Sequence, residues 1–190
     1  MDAGSGEGPL PPKALTRVLT SAQQLDALLE IYDEHSSSFN TVHVATFWHV
    51  AGRLTRRRMS GRDASKALRS LRHPSRLLTM RSLERAGERE LSAIAWGVAS
   101  AGIHARVWTE LWRTLSARAM DQLQRELSSY EGLQPAGDVA TNGWTTQGLA
   151  NLAWACATAS HPCAELFDVL GAAARRQVEK FKPQELSMLV

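Results

Sequence analysis

Apolar positions recur along this chain in one spacing, written four times. From the leading position the copies read FNTVHVATFWHVA at Phe39, AGERELSAIAWGVA at Ala86, WTTQGLANLAWACA at Trp144 and FKPQELSMLV at Phe181. The shared frame is an aromatic residue, four others, an aliphatic anchor, two others, a second anchor, a small residue and Trp. The anchors are Val44, Leu91, Leu149 and Leu186, followed three residues on by Phe47, Ile94, Leu152 and Leu189, and then by His49, Trp96 and Trp154. Leu149, Leu152, Ala153, Cys156 and Ala157 fall at i, i+3, i+4, i+7 and i+8, which describes a helix with one buried stripe. Strand alternation is absent. The fourth copy reaches Val190 one position before its Trp, so the chain is expected to be cut within its last repeat, with the array continuing beyond it.

The anchors are 47 residues apart from 44 to 91, 58 from 91 to 149 and 37 from 149 to 186. A unit just under forty residues long is a helix pair, and the two longer spacings are that unit with insertions. The second helix aligns as well: ELWRTLSARAMDQLQ from Glu110 matches ELFDVLGAAARRQVE from Glu165. A single pair cannot bury its own apolar face, so stacked copies must share a core. The expected fold is all-α, a solenoid of helix pairs wound into a right-handed αα-superhelix, with residues 1–12 disordered and a helical-repeat domain over 13–190.

Local signals place the elements. A first helix is expected from about Thr20 to His35, with Thr20 and Gln23 as a capping box and Leu25, Leu28, Leu29 and Tyr32 as its stripe. The Phe39 copy opens a helix ending near Gly52. Shorter helices follow at about 60–72 and 75–86, then one from Ala86 to about Ala101 with Gly102 as a left-handed cap. A long helix covers about 106–130, residues 133–143 form a loop, and the last pair spans 145–159 and 162–181, with Pro162 and Pro183 each at a first helical position.

Composition is ordinary for a globular chain, 44% hydrophobic and 22% charged. No apolar stretch approaches the roughly 18 residues of a membrane helix, so no membrane is expected as a partner. The N-terminal MDAGSGEGPLPP has neither the apolar core of a secretory signal nor the arginines of a mitochondrial presequence. Cys156 and Cys163 are too few for a disulfide framework and, even with His161 nearby, are not expected to hold a metal; a reducing compartment fits them.

Charge is uneven. Twelve cations between Arg53 and Arg89 face only Asp63, Glu84 and Glu88, a balance of +9 that leaves −6 for the rest of a chain whose net charge is +3. Eleven of the twelve are Arg, whose planar fork of donors suits phosphate. Arg58, Arg62, Lys66 and Arg69 recur every three or four residues, and Arg72 and Arg76 extend that spacing across Pro74. Arg56, Arg57, Arg58, Arg62, Lys66, Arg69, Arg72 and Arg76 are therefore the candidate RNA-phosphate contacts.

LANLAWACATA at 149–159, AELFDVLGAAARR at 164–176 and FKPQELSMLV at 181–190 resemble the octotricopeptide-type helical repeats of organellar RNA-processing proteins. Such repeats often precede a RAP domain. They are also similar to the leucine-rich helical region of FAST-kinase-domain proteins and to helical subunits of the kinetoplastid RNA-editing substrate-binding complex. The resemblance covers residues 20–190. It implies binding of single-stranded mitochondrial or plastid transcripts, a role in their maturation and stability, and other RNA-processing proteins as partners. Departures are His49 in the Trp position, Trp48 in the small position, Ala86 for the leading aromatic, and the absence of a visible RAP domain.

The remaining candidates are weighed by position. Trp96 and Trp154 fall on the repeated stripe, so core packing is expected ahead of base stacking, and the same holds for Trp108 and Trp112. Gln147 and Asn151, with Arg89 and Ser92 in the equivalent region, are candidate base readers. The six histidines are scattered, and no nucleophile motif, carboxylate pair or phosphate loop is seen, so neither catalysis nor a cofactor is expected. The competing class is a protein-binding scaffold of the armadillo or HEAT kind.

Overall fold

Each copy of the repeat starts its helix with a cap at the residue after the leading position. In the first, the Asn40 backbone N–H donates to His43 Nδ1 (3.1 Å) while Asn40 Oδ1 accepts from the His43 N–H (3.0 Å). In the second, Glu90 Oε2 accepts from the Gly87 N–H (3.0 Å), and in the fourth Glu185 Oε2 accepts from the Lys182 N–H (2.9 Å). The third uses the opposite half of the device, Thr145 Oγ1 accepting from the Gly148 N–H (3.0 Å). These bonds satisfy amides that a helix start leaves without intrahelical partners.

The structure is a computed structural model that describes residues 10–58, 74–129 and 143–188. All regular elements among them are helical: α1 (Pro12–Ser21), α2 (Leu25–His35), α3 (Thr41–Arg58), α4 (Pro74–Leu83), α5 (Glu88–Ser100), α6 (Thr109–Ser129), α7 (Thr146–Thr158), α8 (Ala164–Arg176) and the short α9 (Pro183–Leu186), with single 3₁₀ turns at Ser36–Ser38 and Val178–Lys180. No described helix is long and apolar enough to cross a membrane.

The helices form two rows. The first helices of successive copies, α3, α5, α7 and α9, lie side by side with α1 against α3, while α4, α6 and α8 make the second row. Register along the first row is parallel. Trp48 and Gly52 of α3 meet Gly97 of α5, and farther along Thr55 Oγ1 reaches the Ser100 carbonyl (3.3 Å). A Cβ on Gly97 would stand 2.2 Å from the Trp48 carbonyl oxygen, so the absence of a side chain there sets how closely α3 and α5 approach.

The anchors do the burying. Leu91, Ile94, Leu149 and Leu152 are all fully buried, as are Val44 and Phe47. Trp108 and Trp112 are also in the core, with Trp48 edge-on to Trp108 at 5.5 Å. Two of these indoles have satisfied polar ends: Trp48 Nε1 donates to Thr79 Oγ1 (2.8 Å) and Trp112 Nε1 to the Ile103 carbonyl (3.2 Å). At the last copy the anchor Leu186 is 42% exposed, and Phe167, the counterpart of Trp112, is 40% exposed; among the described residues no helix packs beyond them.

Several boundaries differ from those expected. The first helix is two, because the chain breaks at Ala22–Gln24; Thr20 Oγ1 donates back to the Thr16 and Arg17 carbonyls and caps nothing. α1 starts at Pro12, at the edge of the segment expected to be disordered, and His43 Nε2 bonds the Pro12 carbonyl (3.0 Å). α3 continues past Gly52 to Arg58, since Gly52 serves the close approach to α5 and does not end the helix. Pro162 lies outside α8, which starts at Ala164, whereas Pro183 does occupy a first helical position. The expected helix at 60–72, most of the loop at 133–143, and Leu189 lie outside the described residues.

Candidate nucleic-acid interface

Position 49 of the first copy, 96 of the second and 154 of the third are equivalent in the repeat, and parallel packing of α3, α5 and α7 lines them up. The His49 imidazole stacks on the Trp96 indole with centroids 5.0 Å apart and planes 29° from parallel. Trp96 faces Trp154 at 6.4 Å and 35°. His49 is the most exposed of the three, with one ring face covered by Trp96, and both tryptophans are half-buried. The expectation that Trp96 and Trp154 are buried in the core is thus corrected: both are half-buried, Trp154 packing against the edge of the core. Each follows its second anchor by two residues, roughly 200° around a helix, and so points away from the stripe that Ile94 and Leu152 bury. Trp96 shares its face with Arg89, Ala93 and Ser100, and Trp154 with Gln147, Asn151 and Thr158, all at least partly accessible.

Arg56 joins this ladder. Its guanidinium carbon lies 5.2 Å from the Trp154 centroid and 6.0 Å from that of Trp96, placing a delocalised cation over two indoles. Partial burial, and secondarily the charge of Arg53, hold the His49 imidazole below its usual pKa, which favours the uncharged ring. Beside His49 an open trough of about 390 Å³ runs over α3, between the end of α1 and the start of α5. Its lining includes Thr20, Val42, Thr46, Arg53, Arg89 and Glu90.

The arginine-rich candidates divide. Arg56 is on the ladder face. Arg76 is exposed on α4, in the second row, close enough to the Glu110–Arg113 pair to help hold the Glu110 carboxyl below its usual range, after the Arg113 hydrogen bond that does most of it. The structure does not bring Arg56 and Arg76 into one stripe. The side chains of Arg57 and Arg58, and all of Arg62, Lys66, Arg69 and Arg72, lie outside the described residues. Among the base-reader candidates, Gln147, Asn151 and Arg89 share the ladder face, whereas Ser92 is buried with its hydroxyl donating to the Arg89 carbonyl.

Other polar groups hold the fold. Ser116 Oγ meets His161 Nε2 at 2.7 Å beneath Trp112, linking α6 to the turn before α8. Cys156 and Cys163 are free thiols, and burial, helped by Cys163, pushes the Cys156 thiol up to about 12, which makes it inert. Among the described residues no group of three His, Cys, Asp or Glu is arranged to hold a metal ion. Compared with protein-family models, curated proteins and solved structures, the chain matches none.

Proposed function

We propose that this chain is an RNA-binding helical-repeat protein that engages single strands of mitochondrial or plastid transcripts and acts in their processing and stability. In this reading the two rows of helices wind into a right-handed αα-superhelix, and the protein is a binding module without catalysis of its own. The observation that carries the reading is the ladder His49–Trp96–Trp154 with Arg56 over it. The outer faces and edges that such a row leaves accessible serve unstacked bases, because every base offers a π-face. A duplex keeps its bases stacked on each other. Organellar transcripts, and RNA-processing proteins as companions, follow from the resemblance to octotricopeptide-type repeats; phosphate contacts from Arg56, Arg57, Arg58, Arg62, Lys66, Arg69, Arg72 and Arg76 belong to the same proposal.

The test is the affinity of a single-stranded RNA oligonucleotide and of its duplex, measured by fluorescence anisotropy, for the parent chain and for Trp154→Leu. Removing one stacking platform should weaken single-strand binding by about 1–3 kcal/mol, on the order of tenfold to a hundredfold. Equal affinity for duplex and single strand, unaffected by Trp154→Leu, would refute the reading. Failure to bind RNA at all would favour the armadillo- or HEAT-like protein scaffold, for which Val42, 49% exposed on the same face, offers apolar contact area.

A further inference from the structure

The trough beside His49 is a different feature from the ladder, since it adds charge and depth to a row of rings. His49 closes the ladder at its α3 end, and its accessible ring also lines the trough. Val42 and Thr46 rise two turns and one turn before it on the same face of α3, Arg53 follows one turn after, and Arg89 enters from the first turn of α5. The lining thus carries two arginines and one carboxylate, Glu90, and that carboxylate already accepts the Gly87 N–H at the helix start. The space, about 390 Å³, is open to solvent along one side, so an occupant lies across the surface and keeps one face exposed. A single nucleotide fits that scale and a duplex does not. A planar ring beside two planar forks of donors suits a ligand that is aromatic at one end and anionic at the other.

We propose that this trough is a nucleotide subsite that holds one residue of a bound strand at both ends, its base against His49 and its phosphate between Arg53 and Arg89. It rests on the RNA-binding reading and extends it: the strand crosses the helices of the first row, with Arg53 and Arg89 at the His49 end and the Trp154 ring, with Arg56 over it, at the other.

Two measurements test this. The first is the salt dependence of single-stranded RNA affinity for the parent chain, for Arg53→Gln/Arg89→Gln and for Trp154→Leu. The double substitution should weaken binding and flatten the salt dependence by about 0.7 in the log–log slope for each phosphate that is no longer neutralised. Trp154→Leu should weaken binding without changing the slope. If Trp154→Leu weakens binding while the arginine variant matches the parent in affinity and slope, the subsite is wrong and the ladder stands; if the parent itself fails to bind, both fall. The second needs no variant. In NMR titrations AMP should shift the His49 ring resonances at lower concentration than adenosine, and identical responses to the two would overturn the phosphate assignment.

Discussion

Gln177, just past the end of α8, donates its side-chain N–H to the backbone carbonyl of Trp144 at 2.9 Å, and Gln122 on α6 makes the same bond to the carbonyl of Ala86 at 2.8 Å. Gln122 and Gln177 are equivalent in the second helix of the repeat, and Ala86 and Trp144 lead the first helix. One glutamine per pair thus ties the second helix to the entry of the first. Gln122→Ala should expose this dependence, because it leaves the carbonyl of buried Ala86 unpaired. The expected loss is about 1–3 kcal/mol in urea unfolding, and a loss near zero would show that solvent replaces the bond.

Gly97→Ala is expected to be among the most damaging single-methyl changes in the chain. The added Cβ would overlap the Trp48 carbonyl oxygen and carbon, 2.2 and 2.3 Å away, and backbone has no rotamer with which to yield. Overpacking commonly costs about 1–3 kcal/mol, and a backbone clash belongs at or above the upper end. A variant as stable as the parent would mean that α3 and α5 are not as close as described.

Much of this was legible in the chain. The four copies, their anchors and the helix pairing follow from one period, and the buried anchors occupy the places the period assigned them. The ladder was legible too, in the two-residue step from Ile94 to Trp96 and from Leu152 to Trp154, but large apolar residues in a repeated motif suggest core, and the angle overrules that habit. The caps were harder to see because the side chain that makes them changes from copy to copy: Asn40 with His43 in the first, Glu90 in the second, Thr145 in the third and Glu185 in the fourth. The break at Ala22–Gln24 was hidden by Thr20 and Gln23, whose spacing mimics a helix start. Nothing local marks the trough, which exists only once α1 and α5 flank α3.

Helices α5 and α7 end in the same six-residue closure. Gly102 adopts φ +77°, with the Ile103 N–H bonded to the Val98 carbonyl (3.1 Å) and the Gly102 N–H to that of Ala99 (2.9 Å). Its equivalent is Ser160 at φ +55°, with the His161 N–H bonded to the Cys156 carbonyl (2.9 Å) and the Ser160 N–H to that of Ala157 (3.0 Å). Only glycine takes this left-handed conformation without strain. Ser160→Gly should therefore stabilise, and Gly102→Ala, whose Cβ would meet nothing within 4 Å, should destabilise through backbone alone, each by about 1 kcal/mol. Opposite signs in thermal unfolding are the expected result, and equal signs would contradict the shared closure.

Burial holds His161 below its usual pKa of 6.5. The folded state thus binds fewer protons than the unfolded state at pH values below about 6.5, and stability contributed by the neutral ring is present above that value and declines as pH falls. His49 acts in the same sense. The thermal midpoint should drop between about pH 7.5 and about pH 5.5, and His161→Gln, which removes one titrating ring, should flatten that drop. A pH profile parallel to that of the parent would mean that His161 titrates normally in the folded chain.

The most direct measurement is where RNA lies on the protein. Ultraviolet cross-linking of a 4-thiouridine-labelled single strand, followed by mass spectrometry of the peptides, reports contact residue by residue. Adducts are expected on α3, α5 and α7 at or beside His49, Trp96 and Trp154, and competition with unlabelled duplex should leave them in place. Adducts on the second-row helices α4, α6 and α8, with none on the three ladder residues, would contradict the account.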